Sequence, residues 1–247
     1  MKVLYFIIII VFVVPFVSMG QENANKIIKK YAEATGGLKN WKKIHNVKDS
    51  SISYSAKDIY SNIQIDTTNL KYLVLYTESS GKYHDLVYRG LMQDLFLVSI
   101  TTQDNINLYQ YNFFRGTRQP LHIEKSTTTF KDAYISELFR ILDAKKVEYI
   151  GEEAENNEVY EKLRVSEKTG HITVWYFNQK NSLLEKINVG EDNIRFSTYY
   201  KDYQDINGFL VPMRTETQNE AGNTVIMINK ISKEFNVKVP KNFYTLE

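Results

Sequence analysis

The chain has 247 residues, with 31 basic against 29 acidic side chains and no cysteine. So even a balance argues against nucleic acid or an anionic membrane surface as partner. The missing thiol excludes disulfides, thiolate chemistry and acylation at a lipoprotein cleavage site. At the N-terminus, Lys2 precedes an apolar run from Val3 to Val17, and Ser18-Met19-Gly20 offers small residues at the two positions a signal peptidase reads. This pattern predicts a signal peptide over residues 1–20, cleaved after Gly20, and one exported domain over 21–247 with no stable membrane anchor. The run is shorter than the roughly 20 apolar residues of a spanning helix and is interrupted by Pro15; an uncleaved anchor is the alternative reading.

The first segment after the leader reads as an amphipathic helix. Asn23 or Asn25 is its expected cap, Ile27, Ile28, Tyr31 and Ala34 its apolar stripe, and Gly36-Gly37 its stop. Leu38 to Ile44 makes a short second turn with Trp41 and Ile44 inward. From Val47 to Ile123 the pattern is of strands separated by polar turns, including Tyr72–Tyr76, Tyr83–Tyr88, Asp94–Thr101 and Asn107–Phe113. An interior helix follows, capped by Asp132, with Ile135, Leu138, Phe139 and Leu142 at helical spacing and Lys145-Lys146 just beyond. A single helix between two blocks of strands must lie against a sheet face. Glu152-Glu153-Ala154-Glu155 reads as a solvated loop. Six strands then follow: Val159–Ser166, Ile172–Phe177, Ser182–Val189, Ile194–Tyr200, Phe209–Thr217 and Thr224–Ile231. Lys168-Thr169-Gly170, Asn207-Gly208 and Ala221-Gly222-Asn223 are among the links, and the regular spacing predicts an antiparallel meander.

The sequence offers little directed chemistry. His45, His84, His122 and His171 are scattered and form no metal-binding pair, and no nucleophile elbow or phosphate cradle is present. The Asp202–Gly208 stretch fails as a calcium loop, because aligning Gly208 on the sixth position puts Tyr203 first and Arg214 twelfth. Neither a metal nor another cofactor is expected, and no enzyme activity. In Ile172-Thr-Val-Trp-Tyr-Phe177, Trp175 and Phe177 share one face, while Ile172, Val174 and Tyr176 share the other. Such a strand serves either a two-sided core or a sheet curved around an apolar cavity.

A resemblance favours the cavity. Ile27-Ile-Lys-Lys-Tyr-Ala-Glu-Ala-Thr-Gly-Gly-Leu38 with Trp41-Lys-Lys-Ile44 resembles the start of outer-membrane lipoprotein-sorting proteins of the LolA/LolB type found in Bacteroidetes. Gly151 through Val159-Tyr160-Glu-Lys-Leu-Arg-Val165 is similar to one of their strands. Gly170 to Phe177 with Leu183-Leu184-Glu-Lys186, and Tyr199 through Pro212, are similar to their strand pair and hairpin; Val239-Pro240-Lys-Asn-Phe243 matches their ending. The middle departs from the pattern at Gln103–Leu108. The resemblance implies an α+β, mainly β fold: a strongly curved antiparallel sheet, half a barrel, with helices covering an apolar cavity. It implies a monomeric periplasmic carrier for an acyl chain, a lipoprotein or another apolar ligand, without catalysis. The alternative is a protein-binding or envelope-sensing module on the same fold. The ligand-cavity candidates are Leu138, Phe139, Leu142, Trp175, Phe177 and Phe196, although the pattern leaves open which strand face turns inward.

Overall fold

The computed structural model describes residues 20–56, 65–78, 83–91, 94–103, 108–112, 117–123, 136–189, 196–219 and 224–239. Residues 1–19 of the expected signal peptide, the helix cap at Asp132 and the Ala221-Gly222-Asn223 link lie outside them, while Gly20, at the expected cleavage site, is described. No described helix is long and apolar enough to cross a membrane.

Residues 20–34 form helix α1. Asn23 and Asn25 are inside it rather than at its cap. Ala24, Ile27, Tyr31 and Thr35 make the buried stripe at a helical repeat, and Ala32, rather than Ala34, completes it. Gly36 and Gly37 end it at φ 114° and 84°. The Gly37 N–H donates to the Ala32 carbonyl at 2.7 Å and the Gly36 N–H to Glu33 at 3.3 Å, the pair of bonds that satisfies the last carbonyls of a helix. The one-turn helix α2, Leu38–Trp41, follows at once and drives Trp41 into the core.

The described strands form one antiparallel sheet. In chain order they are β1 (Asn46–Ala56), β2 (Ile65–Glu78), β3 (Tyr83–Leu91), β4 (Asp94–Gln103), β5 (Leu108–Asn112) and β6 (Thr117–Ile123). After helix α3 (Glu137–Leu142) come β7 (Lys146–Glu155), β8 (Glu158–Ser166), β9 (Ile172–Asn178) and β10 (Leu184–Val189), then β11 (Phe196–Ile206), β12 (Phe209–Asn219) and β13 (Thr224–Phe235). Neighbours in sequence are neighbours in space, and β13 closes back onto β1, so the order runs β6 to β1, then β13 down to β7. The sheet is not closed: β6 and β7 are its two edges, and the connection carrying α3 joins them.

The tight links have the chemistry their backbone demands. Asn207 and Gly208 stand at φ 55° and 86° between Ile206 and Phe209, which pair across the turn, and the Asp205 carboxylate accepts the Gly208 N–H at 2.8 Å. Asn156 and Asn157, at φ 50° and 66°, close the β7–β8 hairpin in the same way. The acidic stretch Glu152–Glu155 is therefore strand, not loop. Two of its carboxylates meet cations from other strands: Glu153 pairs with Lys162 of the adjacent β8 at 2.9 Å, and Glu155 with Lys186 of β10 at 2.6 Å.

The three described helices pack on one face of the sheet. Tyr31 of α1 sits edge-on to Phe177, with ring centres 5.3 Å apart, above Leu163, Val165, Trp175 and Ile187. Leu138 and Ile141 of α3 join this layer. At the other end Trp41, Phe209 and Phe235 form a mutual cluster with centroids 4.6–5.6 Å apart, over Val47. On the opposite face of the sheet Tyr176 is also buried. The Lys186 ammonium lies 4.2 Å from its ring centre and Tyr160 packs edge-on against it, so β9 is covered on both faces.

Candidate functional site

Between the helices and the inner face of the sheet lies a cavity of about 420 Å³. It falls within the range of about 300–1,000 Å³ typical of small-molecule sites. Tyr31 of α1, Thr35 just after it and Trp41 of α2 close one side; Glu137 and Arg140 of α3, with Ser136 just before it, close another. The floor is the inner face of β11, β12 and β13 with Asp49 from β1.

That floor follows from strand periodicity. In β12, Val211, Met213, Thr215 and Thr217 alternate with Pro212, Arg214, Glu216 and Gln218. In β13, Met227, Asn229, Ile231, Lys233 and Phe235 occupy one parity. Register aligns Thr217 with Met227 and Thr198, and Thr215 with Asn229 and Tyr200. Both rows carry hydroxyls, with Met227 at the end of one and Asn229 at the end of the other. The Asn229 amide donates to the Thr215 hydroxyl at 3.0 Å and the Ser53 hydroxyl donates to the Asn229 carbonyl oxygen, while the Thr198 and Thr217 hydroxyls lie 3.4 Å apart. Leu210, Val211, Ile231 and Met227 supply aliphatic surface beside this polar strip.

The charged groups of the wall pair with one another, Arg140 serving two carboxylates. Arg140 donates Nε–H to Glu167 at 3.0 Å and a terminal N–H to Glu137 at 3.3 Å, and its guanidinium lies 5.3 Å from the Trp175 ring centre. The second Glu137 oxygen accepts the Tyr200 hydroxyl at 3.0 Å. Burial, reinforced by the Glu137 charge, pushes the Tyr200 phenol well above its ordinary range, so it remains a neutral hydrogen-bond donor. Asp49 and Lys233 pair at 2.6 Å across β1 and β13. Among the described residues no group of three histidines, aspartates or glutamates is placed to hold a metal ion.

The six expected cavity residues sit as follows. Leu138, Trp175 and Phe177 are fully buried in the core layer, and Phe139 packs against its margin. Leu142 is 46% exposed, because the face that α3 turns to the sheet carries Leu138 and Ile141, one position away from the expected stripe. Phe196 is half-buried at the start of β11. Trp175 reaches the site indirectly, as the ring beneath Arg140. Arg140, Glu137, Glu167, Tyr200, Thr215 and Asn229 escaped the sequence reading. The alternation Met213-Arg-Thr215-Glu-Thr217 was the available signal, since it separates a hydroxylic face from a charged one.

A scan against family models and a search of curated proteins each found no match. Solved structures do match. A LolA superfamily protein from Nitrosomonas europaea superposes with a TM-score of 0.60 at 14% identity, covering 90% of this chain and 97% of that one. The fold is LolA-like. A domain named for outer membrane lipoprotein sorting, from Vibrio parahaemolyticus, gives 0.58 at 11% identity over 91% and 97% of the two chains. A DUF1329 family protein from Desulfovibrio piger gives 0.58 at 8% over 90% and 96%. At such identities the LolA-like likeness speaks for the curved open sheet and its covering helices. The wall of this chain's cavity has to be read from its own side chains.

Proposed function

We propose that this protein is a periplasmic carrier that shelters the acyl chain of a lipid or lipoprotein, exported by a leader cleaved after Gly20 and acting without catalysis as a monomer. The observation that carries the reading is the 420 Å³ cavity between helices and sheet in a LolA-like fold. Each methylene moved from water into such a space contributes about 0.8 kcal/mol. Ten of them supply roughly 8 kcal/mol, a micromolar affinity before ordering costs are subtracted. Tyr31, Trp41, Leu210, Val211, Met227 and Ile231 are the surfaces an acyl chain would meet.

The test is native mass spectrometry of protein purified from the envelope, with titration of N-phenyl-1-naphthylamine, an uncharged fluorophore that brightens in apolar sites. We expect a co-purifying lipid mass and saturable fluorescence. Thr217→Trp, which fills the floor, should weaken probe binding about tenfold or more, with an unchanged circular dichroism spectrum. Protein that emerges empty, fails to bind the probe and holds a stoichiometric protein partner would instead be a protein-binding module.

A further inference from the structure

The charges of the wall narrow the ligand. Three carboxylates (Asp49, Glu137 and Glu167) face two cations (Arg140 and Lys233), so the described wall has a net charge of −1. Both cations are already engaged. Lys233 is held by Asp49, and Arg140 by Glu167 through two of its nitrogens, by Glu137 through a third and by the Trp175 face beneath. A carboxylate or phosphate entering here would lose its hydration and meet a wall with excess negative charge. The floor offers a different kind of contact. Thr198, Thr215 and Thr217 carry hydroxyls able both to donate and to accept, and Asn229 adds an amide, all beside the aliphatic surface of Met227 and Ile231.

We infer that the cavity selects an uncharged amphiphile, an acyl chain on a hydroxyl- or ester-bearing head, over free fatty acids and other anionic lipids. The inference rests on the carrier reading and concerns the head group alone. The hydroxyl strip satisfies the head while Leu210, Val211 and Ile231 receive the chain.

Three ligands with the same 16-carbon chain test it by displacement of N-phenyl-1-naphthylamine at neutral pH: 1-monopalmitoylglycerol, palmitate and hexadecyltrimethylammonium, each below its micelle concentration. Monopalmitoylglycerol should bind about tenfold tighter than palmitate. In Thr198→Val/Thr217→Val, which keeps shape and removes two hydroxyls, its affinity should fall about fivefold while that of the fluorophore holds. Glu167→Gln, which neutralises the net charge, should narrow the gap between glyceride and fatty acid. Palmitate binding as tightly as the glyceride, or the ammonium binding tightest, would overturn the head-group inference and leave the carrier reading standing. Failure of all three ligands and of the fluorophore would overturn both.

Discussion

Glu216 shows how single side chains on this sheet are balanced. It is 5% exposed, with Lys201 and Arg214 both bonded to its carboxylate on the face opposite the cavity. Burial works against its ionisation, but the hydrogen bonds and charges of Lys201 and Arg214 outweigh that and hold its carboxyl below the ordinary glutamate range. A carboxyl whose folded value is depressed stabilises the fold above its unfolded value of about 4.3 and loses that contribution as pH falls through the folded value. Urea midpoints measured from pH 7 down to pH 3 should therefore decline below about pH 4.3, and Glu216→Gln should decline less steeply. An equal slope in both proteins would show that this trio does not govern acid stability. Arg140 poses the complementary problem of a cation held inside. Burial opposes its charge, yet Glu137 and Glu167 keep the guanidinium above its ordinary range. It is the α3 side chain that ties the helix both to the β8–β9 link and to the wall of the cavity.

At the scale of elements, the turns are the most legible part of the chain. Asn207-Gly208 and Gly36-Gly37 could be placed because positive φ restricts residue type. These two turns also touch. A Cβ on Gly36 would lie 2.5 Å from the Gly208 carbonyl oxygen, whereas one on Gly37 would meet nothing within 4 Å. Gly37→Ala should therefore cost only the conformational strain, about 1 kcal/mol, while Gly36→Ala adds a backbone clash and should lower the thermal midpoint markedly further. Similar losses in the two variants, measured by calorimetry, would mean that the turns can separate without cost. Other elements were harder to read, for physical reasons. In α3, Leu138, Phe139, Ile141 and Leu142 are all apolar over little more than one turn, so periodicity cannot say which of them faces the sheet. β7 looked like a loop because cross-strand partners 9 and 31 residues away neutralise its glutamates, and no local window contains them. The site was least legible: its hydroxyls and ion pairs converge from β1, α3, β11, β12 and β13, and only the sheet register brings them together.

For the molecule as a whole, the decisive feature is the pairing of the first described strand with the last. The first six described strands and the last seven are two meanders whose sheet continuity rests on that pairing of β1 with β13. That pairing joins residues about 180 apart in sequence, such as Asp49 and Lys233. A sheet completed by such distant partners folds slowly, since loop closure precedes its reward. The cavity floor spans the same junction, with Asp49 on one meander and Lys233 and Asn229 on the other, so the site cannot exist before the halves meet.

The β1–β13 pairing also gives the molecule a mechanical grain. The start of β1 and the end of β13 lie side by side: the His45 N–H donates to the Asn236 side chain at 2.8 Å, and the Asn236 N–H donates to the Asn46 carbonyl at 2.9 Å. Because the sequence contains no cysteine, a pair of introduced thiols gives unique handles for single-molecule pulling. Tension between His45→Cys and Val237→Cys loads the bonds one after another, like a zipper. Tension between His45→Cys and Val225→Cys pulls the two antiparallel strands lengthwise and loads the whole ladder at once. The first pair should therefore part at a clearly lower force than the second.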